Sequence, residues 1–509
     1  MRVVNNHLRF DVTSASATAV SPNAWEESTG LLSQLIPHTS ASAIPNPHAF
    51  NASKGELKLG PAPISEDLRA ETERVIREQS VLDRDPNAQY DLQFLRPPAI
   101  PGVIPPTESD MLPYPQSFKT VDVQREVEKV RDARKRIRLE PSALSSVDMN
   151  SVQGGVARAR GLPSICAYTL HDVGEGAPCC TFSPDLTLMA AGFSESYIRL
   201  WSLKNEKLKG LRNDFSLTGS LSKIQQKEGN TTRKLVGHSG PVYSLSFDPL
   251  GGSAAPPRYL LSASADATTR LWSLDTMTNV VAFRGHQNPV WDVQWSPMGI
   301  YFATASRDRT ARLWSTDRTS CLRIYAGHLS DVDCVRFHPN SLYLATGSSD
   351  WTARLWDAQR GACVRVFIGH QGSLSTLAIS PDGRYLASAG EDLAINLWDL
   401  GSGRRIKKMT GHTASVYSLS FSAESSMLVS GGADWTVRCW DVRGAGGPSK
   451  SRESGVAEST ITRTIDDENN ETSDLLATFP TKRTPITNVH FTPRNLCLVA
   501  GNFLAPDSR

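Results

Sequence analysis

The chain has 509 residues, a formal net charge of +2 and an apolar fraction of 39% without glycine. This length allows two or three domains with at least one large core, and near neutrality gives no overall field that would favour nucleic acid as a partner. The sequence has no run of eighteen apolar residues and does not open with a signal-peptide pattern, so we expect a soluble intracellular protein.

The N-terminal part mixes several kinds of segment. Residues 1–60 contain a strand-like run (HLRFDV), a helix-like run (AWEESTGLLSQLI) and a polar stretch, and we interpret them as the C-terminal remnant of a helical N-terminal domain plus a linker. Residues 61–162 begin with a charged helix over 61–93. The stretch 97–115 then holds seven prolines, which predicts a stiff, extended connector.

A basic amphipathic helix is predicted over residues 120–139. Val123, Val127, Val130 and Ile137 have helical spacing, and the run RKRIR stands near the C-terminal end, where positive charge suits the helix dipole. The pattern favours a helix that packs on the rest of the protein or on a partner. A nuclear localisation signal and a contact with nucleic acid are the alternatives that a short basic run leaves open.

The second half of the chain repeats a unit of 42 residues. Tryptophans recur at 272, 314, 356, 398 and 440, and a Gly-His pair precedes each of them. Inside each unit, alternating runs such as VWDVQW and YLATGS are separated by Gly, Asp, Ser and Pro. Period-two alternation between turn residues predicts four short antiparallel strands per unit.

This pattern resembles the WD40 repeat family, whose members fold as β-propellers. The resemblance implies an all-β, seven-bladed WD40 β-propeller over residues 163–509, preceded by a partly helical, partly disordered N-terminal region. Six units end in tryptophan, the first of them at Trp201. We expect residues 486–503 to begin a seventh blade and a strand near 164–170 to complete it.

The resemblance also assigns a structural role to the repeated polar residues. In the family, one His, one Asp, one Ser or Thr and one Trp form a hydrogen-bonded chain inside each blade, and their donor and acceptor types fit. We therefore expect no catalytic residues, no cofactor and no metal ligands, although Asp, His and Ser could also suggest a catalytic triad. The predicted structural residues are His238, Ser262, Asp266, Trp272, His286, Thr304, Asp308, Trp314, His328, Thr346, Asp350, Trp356, His370, Ser388, Asp392, Trp398, His412, Ser430, Asp434 and Trp440.

Partner-binding residues are expected on the face that carries the Gly-His segments and the Asp turns. In related propellers, contacts come from the residue five after the repeat's His and from the Asp-bearing turn. Three turn residues here are apolar, which suggests a docking patch; the alternative is that each side chain folds over its neighbouring loop. The candidates are Tyr243, Trp291, Asp333, Tyr417, Arg307, Trp351, Leu393 and Trp435.

Longer segments resemble the WD40 subunits of the general transcription factor TFIID; examples are RDARKRIRLEPSALSS and AGHLSDVDCVRFHPNSLYLATGSSDWTARLWD. Some organisms share these subunits with the SAGA coactivator. The resemblance implies a non-enzymatic nuclear scaffold whose propeller docks histone-fold subunits six and nine, without sequence-specific nucleic acid or membrane binding. The sequence lacks the LisH motif and most of the helical N-terminal domain of that family, so we expect an N-terminally shortened member.

A second function class remains open. Some propellers dock the adaptor of a cullin-type ubiquitin ligase through a Trp-Asp-x-Arg motif, and one unit matches it at Trp440, Asp441, Val442 and Arg443. The alternative function is therefore a substrate receptor of such a ligase. Co-purification with the ligase adaptor or with histone-fold subunits distinguishes the two classes.

Overall fold

The computed structural model describes residues 47–83, 104–107, 110–113, 118–137, 139, 162–171, 173–174, 176–210, 229–443, 472 and 474–503. These ranges contain the helices α1 (Pro47–Ser53), α2 (Glu66–Asp83) and α3 (Thr120–Lys135). None of the helices described is both long enough and apolar enough to span a bilayer. The strand-like and helix-like runs predicted before residue 47 lie outside the described residues.

Twenty-four strands form six four-stranded antiparallel sheets, each with its strands in chain order. Blade one has β2 (Cys179–Phe182), β3 (Leu188–Gly192), β4 (Tyr197–Ser202) and β5 (Thr232–Val236); blade two has β6 (Val242–Phe247), β7 (Tyr259–Ser264), β8 (Thr268–Ser273) and β9 (Thr278–Arg284). Blade three has β10 (Val290–Trp295), β11 (Tyr301–Ser306), β12 (Thr310–Ser315) and β13 (Arg323–Ala326).

The next three blades follow the same plan. Blade four has β14 (Val332–Phe337), β15 (Tyr343–Ser348), β16 (Thr352–Asp357) and β17 (Cys363–Ile368); blade five has β18 (Leu374–Ile379), β19 (Tyr385–Gly390), β20 (Ala394–Asp399) and β21 (Arg405–Thr410). Blade six has β22 (Val416–Phe421), β23 (Met427–Gly432), β24 (Thr436–Asp441) and β25 (Leu475–Pro480).

The second strand of each blade is almost entirely buried, because neighbouring blades cover both of its faces. Every residue of β15 and of β23 is buried, and these strands read as continuous runs of small and apolar residues. The first strand of each blade contacts the first strands of its two neighbours and lines a central channel. The ring closes where β26 meets both β22 and β2.

The seventh blade joins the two ends of the propeller. It contains β26 (Ile486–Phe491), β27 (Cys497–Asn502) and β1 (Ile165–Leu170). Strand β1 runs parallel to β27, from Ile165 opposite Cys497 to Leu170 opposite Asn502, whereas the strand pairs inside the other six blades are antiparallel. The predicted seven-bladed all-β propeller is confirmed, and β1 supplies the strand that was expected near 164–170.

The segment around α1 packs on the propeller. Leu57 and Leu59 belong to the apolar core shared by blades four and five. Asn51 donates from Nδ2 to the Val366 carbonyl at 2.9 Å and accepts from the Val366 amide at 3.0 Å, so its side chain acts like an added strand partner. Residues 47–60, which were assigned to a remnant domain and linker, therefore contribute to the propeller's own core.

Part of the proline-rich connector also lies on the propeller. Lys58 and Asp110 form a salt bridge at 2.5 Å, and the Tyr301 hydroxyl donates to the Pro113 carbonyl at 2.6 Å. Met111 and Leu112 pack against the blade cores. An extended, proline-restricted backbone can follow a surface at little further entropic cost, and here the described part of the connector does so.

Helix α3 has the predicted apolar stripe over most of its length. Val123, Val127 and Val130 are buried and pack with Ile76 of α2. Ile137, which was placed on the same stripe, lies beyond the helix end and is 53% exposed, so that part of the prediction was wrong. The helix ends at Lys135 because the backbone of the next residue is extended.

One buried carboxylate anchors α3 to the propeller. Asp132 accepts hydrogen bonds from Ser253 Oγ and from Arg494 Nε, both at 2.6 Å. Ser253 stands between the first two strands of blade two, and Arg494 occupies the same kind of loop in blade seven. The helix therefore bridges these two blades on the face formed by first-to-second-strand loops, which we call the bottom face.

Candidate functional site

A chain of four side chains runs through the interior of blade four. His328 Nδ1 bonds Asp350 Oδ2 at 2.8 Å, and His328 Nε2 bonds Thr346 Oγ1 at 2.7 Å. Trp356 Nε1 donates to the same hydroxyl at 2.8 Å. Asp350 also accepts from the Thr352 amide across the turn. We call this set the brace, because it ties the blade's second and third strands to the Gly-His segment.

The structure builds the same brace in blades two, three, five and six. Across the five blades the His–Asp distances are 2.7–2.9 Å, the His–hydroxyl distances 2.6–2.7 Å and the Trp–hydroxyl distances 2.8–2.9 Å. Every brace hydroxyl is fully buried and already accepts from an indole N–H. A nucleophile must reach its substrate, so this arrangement suits structure rather than catalysis.

The brace also sets the charges of its members. Burial would raise the pKa of Asp350, but hydrogen bonds from His328 and Thr352 outweigh burial and hold that pKa well below its ordinary value. The same balance lowers the pKa of Asp308 to about 2. Burial lowers the pKa of His328 despite its bonded carboxylate. At neutral pH the brace of blade four therefore pairs an ionised aspartate with a neutral imidazole that donates through Nδ1.

An arginine two residues before the brace tryptophan was missed from the sequence. Arg270 and Arg312 place a guanidinium beside the glycine of the Gly-His pair, together with the Trp ring. A Cβ on Gly237 would lie 2.8 Å from the Arg270 guanidinium, and one on Gly285 would lie 2.8 Å from the Trp314 ring. The repeated R-L-W pattern was the available signal, and it explains why glycine precedes the histidine.

Blade one has no brace among its described residues. Ala191 stands at the hydroxyl position and Glu195 at the turn position. Phe193 instead stacks on Tyr197 with ring centroids 4.5 Å apart, and it packs at 6.4 Å against Trp201. Aromatic packing therefore replaces the polar chain in this blade.

The face opposite the bottom face carries the Gly-His segments and the Asp turns, and we call it the top face. Four of the predicted partner-binding residues line the central channel from the second position of the first strands of blades two, three, four and six: Tyr243, Trp291, Asp333 and Tyr417. They line a cavity of about 700 Å³, and we call this group the channel mouth. Helix α3 and the segments around Lys58 and Pro113 contact the bottom face instead.

The channel mouth is both aromatic and acidic. The rings of Tyr243 and Trp291 lie 4.7 Å apart, tilted by 49°. Asp333 accepts from Ser349 Oγ at 2.6 Å. Burial and the charges of nearby carboxylates raise the pKa of Asp333 to about 7. Arg307 lies farther out, 3.8 Å from Asp331.

The three apolar turn residues form a second group on the top face, which we call the apolar arc. Trp351, Leu393 and Trp435 occupy the same position in blades four, five and six, with φ angles of 67°, 61° and 62°. Trp351 is 54% exposed and Trp435 41%, whereas Leu393 is half-buried. The left-handed region disfavours bulky residues, so turn stability does not explain these side chains.

Comparisons with known proteins agree with this architecture. The WD40 family model, described as WD domain, G-beta repeat, matches residues 165–202, 229–273, 277–315, 319–357, 361–399 and 403–441. The chain is 42% identical over 287 residues to the SAGA complex/transcription factor TFIID complex subunit Taf5 of Schizosaccharomyces pombe. The aligned region covers 56% of this chain and 38% of that protein.

Two animal proteins are also similar. Transcription initiation factor TFIID subunit 5 of Drosophila melanogaster is 38% identical over 183 residues, covering 34% of this chain and 22% of its own length. The human TAF5-like RNA polymerase II p300/CBP-associated factor-associated factor 65 kDa subunit 5L is 44% identical over 131 residues, covering 24% of this chain and 21% of its own length. The chain thus spans well under two thirds of each relative.

Proposed function

This chain belongs to the WD40 repeat family, and on that premise we propose that it is a non-enzymatic scaffold subunit of a general transcription initiation complex, either TFIID alone or both TFIID and SAGA. The names of its relatives support this assignment, because they are subunits of TFIID or SAGA. Such a subunit works in the nucleus. Its propeller supplies a rigid platform for assembly of the RNA polymerase II preinitiation complex.

We propose that the top face docks the histone-fold subunits six and nine. The observation that carries this assignment is Trp351, a large aromatic residue that is half-exposed on a strained turn. Its counterpart Trp435 repeats the feature two blades away. Exposed tryptophans are typical anchors of protein interfaces, and the structure gives these two no folding role that requires their size.

Affinity purification of the tagged full-length chain from its own cells tests the proposal. We expect histone-fold subunits to co-purify with the wild-type chain. The double variant Trp351→Ala and Trp435→Ala should lose most of this recovery while keeping its thermal midpoint, because neither side chain belongs to a blade core.

A matched control separates docking from a general loss of apolar surface. Ile324 and Ile406 are 50% and 45% exposed on outermost strands, and their double alanine variant should recover the same partners as the wild type. Unchanged recovery by the tryptophan variant would remove the apolar arc from the proposal. Recovery of a cullin-ligase adaptor in place of histone-fold subunits would support the alternative function, in which Arg443 of the Trp-Asp-x-Arg motif takes part.

A further inference from the structure

We propose that the channel mouth binds the guanidinium group of an arginine that a partner presents on an exposed loop. The site consists of the aromatic pair Tyr243 and Trp291, the carboxylate of Asp333 and the exposed ring of Tyr417, all of which line one cavity. This inference does not depend on which complex contains the protein. It concerns a recognition pocket that is separate from the apolar arc.

The aromatic side of the pocket suits a planar cation. Tyr243 and Trp291 follow their repeat histidines by the same spacing, so neighbouring blades bring their rings to the same level of the channel. Both residues line the cavity, with their ring centroids 4.7 Å apart and the ring planes tilted by 49°, so aromatic rings form part of its wall. A guanidinium over an aromatic ring gains about 0.5–2 kcal/mol, depending on how far it is desolvated.

The acidic side of the pocket lacks a matching positive charge. The other charged residues that line the cavity, Asp292 and Arg336, hydrogen-bond each other and so neutralise each other. Among the described residues, Asp333 is bonded by the Ser349 hydroxyl and by no cation.

The groups that act on the Asp333 carboxylate are mostly acidic. Asp331 directly precedes the strand that carries Asp333, and Asp350 and Glu391 lie in the Asp-bearing turns of blades four and five. Asp350 is held ionised by its brace histidine, and Asp331 has Arg307 only at 3.8 Å. A cation at this point would relieve the repulsion, so the pocket is complementary in charge to a positively charged side chain.

Arginine fits this pocket better than lysine or a metal ion. Its planar group can stack on a ring and donate two parallel hydrogen bonds to one carboxylate, whereas an ammonium acts as a point charge. Divalent metal ions need several oxygen or nitrogen ligands, and the described residues contain no group of three or more His, Cys, Asp or Glu arranged to hold one. The open end of the cavity admits a side chain from outside.

Binding of short labelled peptides to the full chain tests the inference. The probes are fluorescein-Gly-Gly-Arg-Gly-Gly and the same peptide with lysine or glutamine in the central position, followed by fluorescence anisotropy. We expect saturable binding of the arginine probe and about tenfold weaker binding of the glutamine probe. Lysine binding as tightly as arginine would overturn the assignment to a guanidinium.

Two variants and a pH series identify the site. Asp333→Asn should weaken the arginine probe by about tenfold, whereas Glu424→Gln, an equal charge change in a bottom-face loop, should leave binding unchanged. Because Asp333 titrates near pH 7, wild-type affinity should rise by about tenfold from pH 6 to pH 8, and the Asn variant should lose this dependence. Absence of saturable binding, or equal binding by wild type and Asp333→Asn, would overturn the proposal.

Discussion

Blade four contains the same residue types in two contrasting environments. Trp356 and Asp350 lie in the brace, where each polar atom is hydrogen-bonded and the ring is 2% exposed. Trp351 and Asp333 lie on the top face, where the ring is exposed on a left-handed turn and the carboxylate is crowded by like charges. The first pair stabilises the blade, and the second pair costs stability. Residues that a repeat does not need for folding are therefore the better candidates for function.

Replacing the inner tryptophan should have the largest effect. Trp356→Ala removes a fully packed ring and the hydrogen bond that its indole N–H donates to the buried Thr346 hydroxyl, so we expect it to lower the free energy of unfolding by about 3–5 kcal/mol. Trp351→Ala, five residues away, should change it by less than about 0.5 kcal/mol. Urea unfolding of both variants provides the measurement. Equal destabilisation would remove the distinction between the two environments.

Acid should have the next largest effect on stability. Burial lowers the folded-state pKa of His286, His328, His338 and His490, so unfolding takes up protons and stability falls as the pH drops below about 6.5. The brace aspartates have depressed pKa values, so their contribution is lost only below about pH 4.

The acid effect is best measured in the Asp333→Asn variant. Protonation of Asp333 would stabilise the folded protein as the pH falls and would partly mask the loss of stability caused by the histidines. Between pH 7 and pH 4 we expect a loss of about 3 kcal/mol, because the lowering of the His490 pKa from 6.5 to about 4, at about 1.4 kcal/mol for each unit, accounts for that much. Unfolding by guanidinium chloride at four pH values would measure this loss of stability. A flat profile would mean that the buried histidines are solvated in the folded state.

The carboxylate of the channel mouth should destabilise the protein at high pH. Its folded-state pKa is raised to about 7, so ionisation costs stability increasingly from about pH 4 and reaches its full size above pH 7. Asp333→Asn should therefore raise the free energy of unfolding by about 1–2 kcal/mol at pH 8 and by almost nothing at pH 4. Calorimetry at both pH values tests this, and an equal gain at both would contradict it.

The smallest expected effect concerns the strained turns. Glycine populates the left-handed region without a steric cost, so Trp351→Gly and Trp435→Gly should leave stability unchanged or raise it by about 0.5–1 kcal/mol each. Thermal midpoints provide the comparison, and Arg309→Gly, at the equivalent turn of blade three with φ 65°, is the matched control. A clear loss specific to the two tryptophans would show that their side chains support the fold.

The fold could be predicted because a 42-residue period carries redundant information about strands, turns and brace positions. The packing of the N-terminal segment could not be predicted, because Leu57, Leu59 and Asn51 lie outside the repeats and contact residues that are distant in the sequence. Ile137 had the right helical spacing, but the helix ended before it. The acidity around Asp333 depends on how three separate loops converge, which spacing alone does not specify.

The parallel pairing of β1 with β27 has a consequence for how the protein folds during its synthesis. The two strands are separated by about 330 residues, so during synthesis β1 waits until nearly all of the propeller has left the ribosome. Until then the nascent ring has open sheet edges, and its final closure is a slow, high-contact-order step. We expect the ring of blades to close only after β27 has emerged from the ribosome.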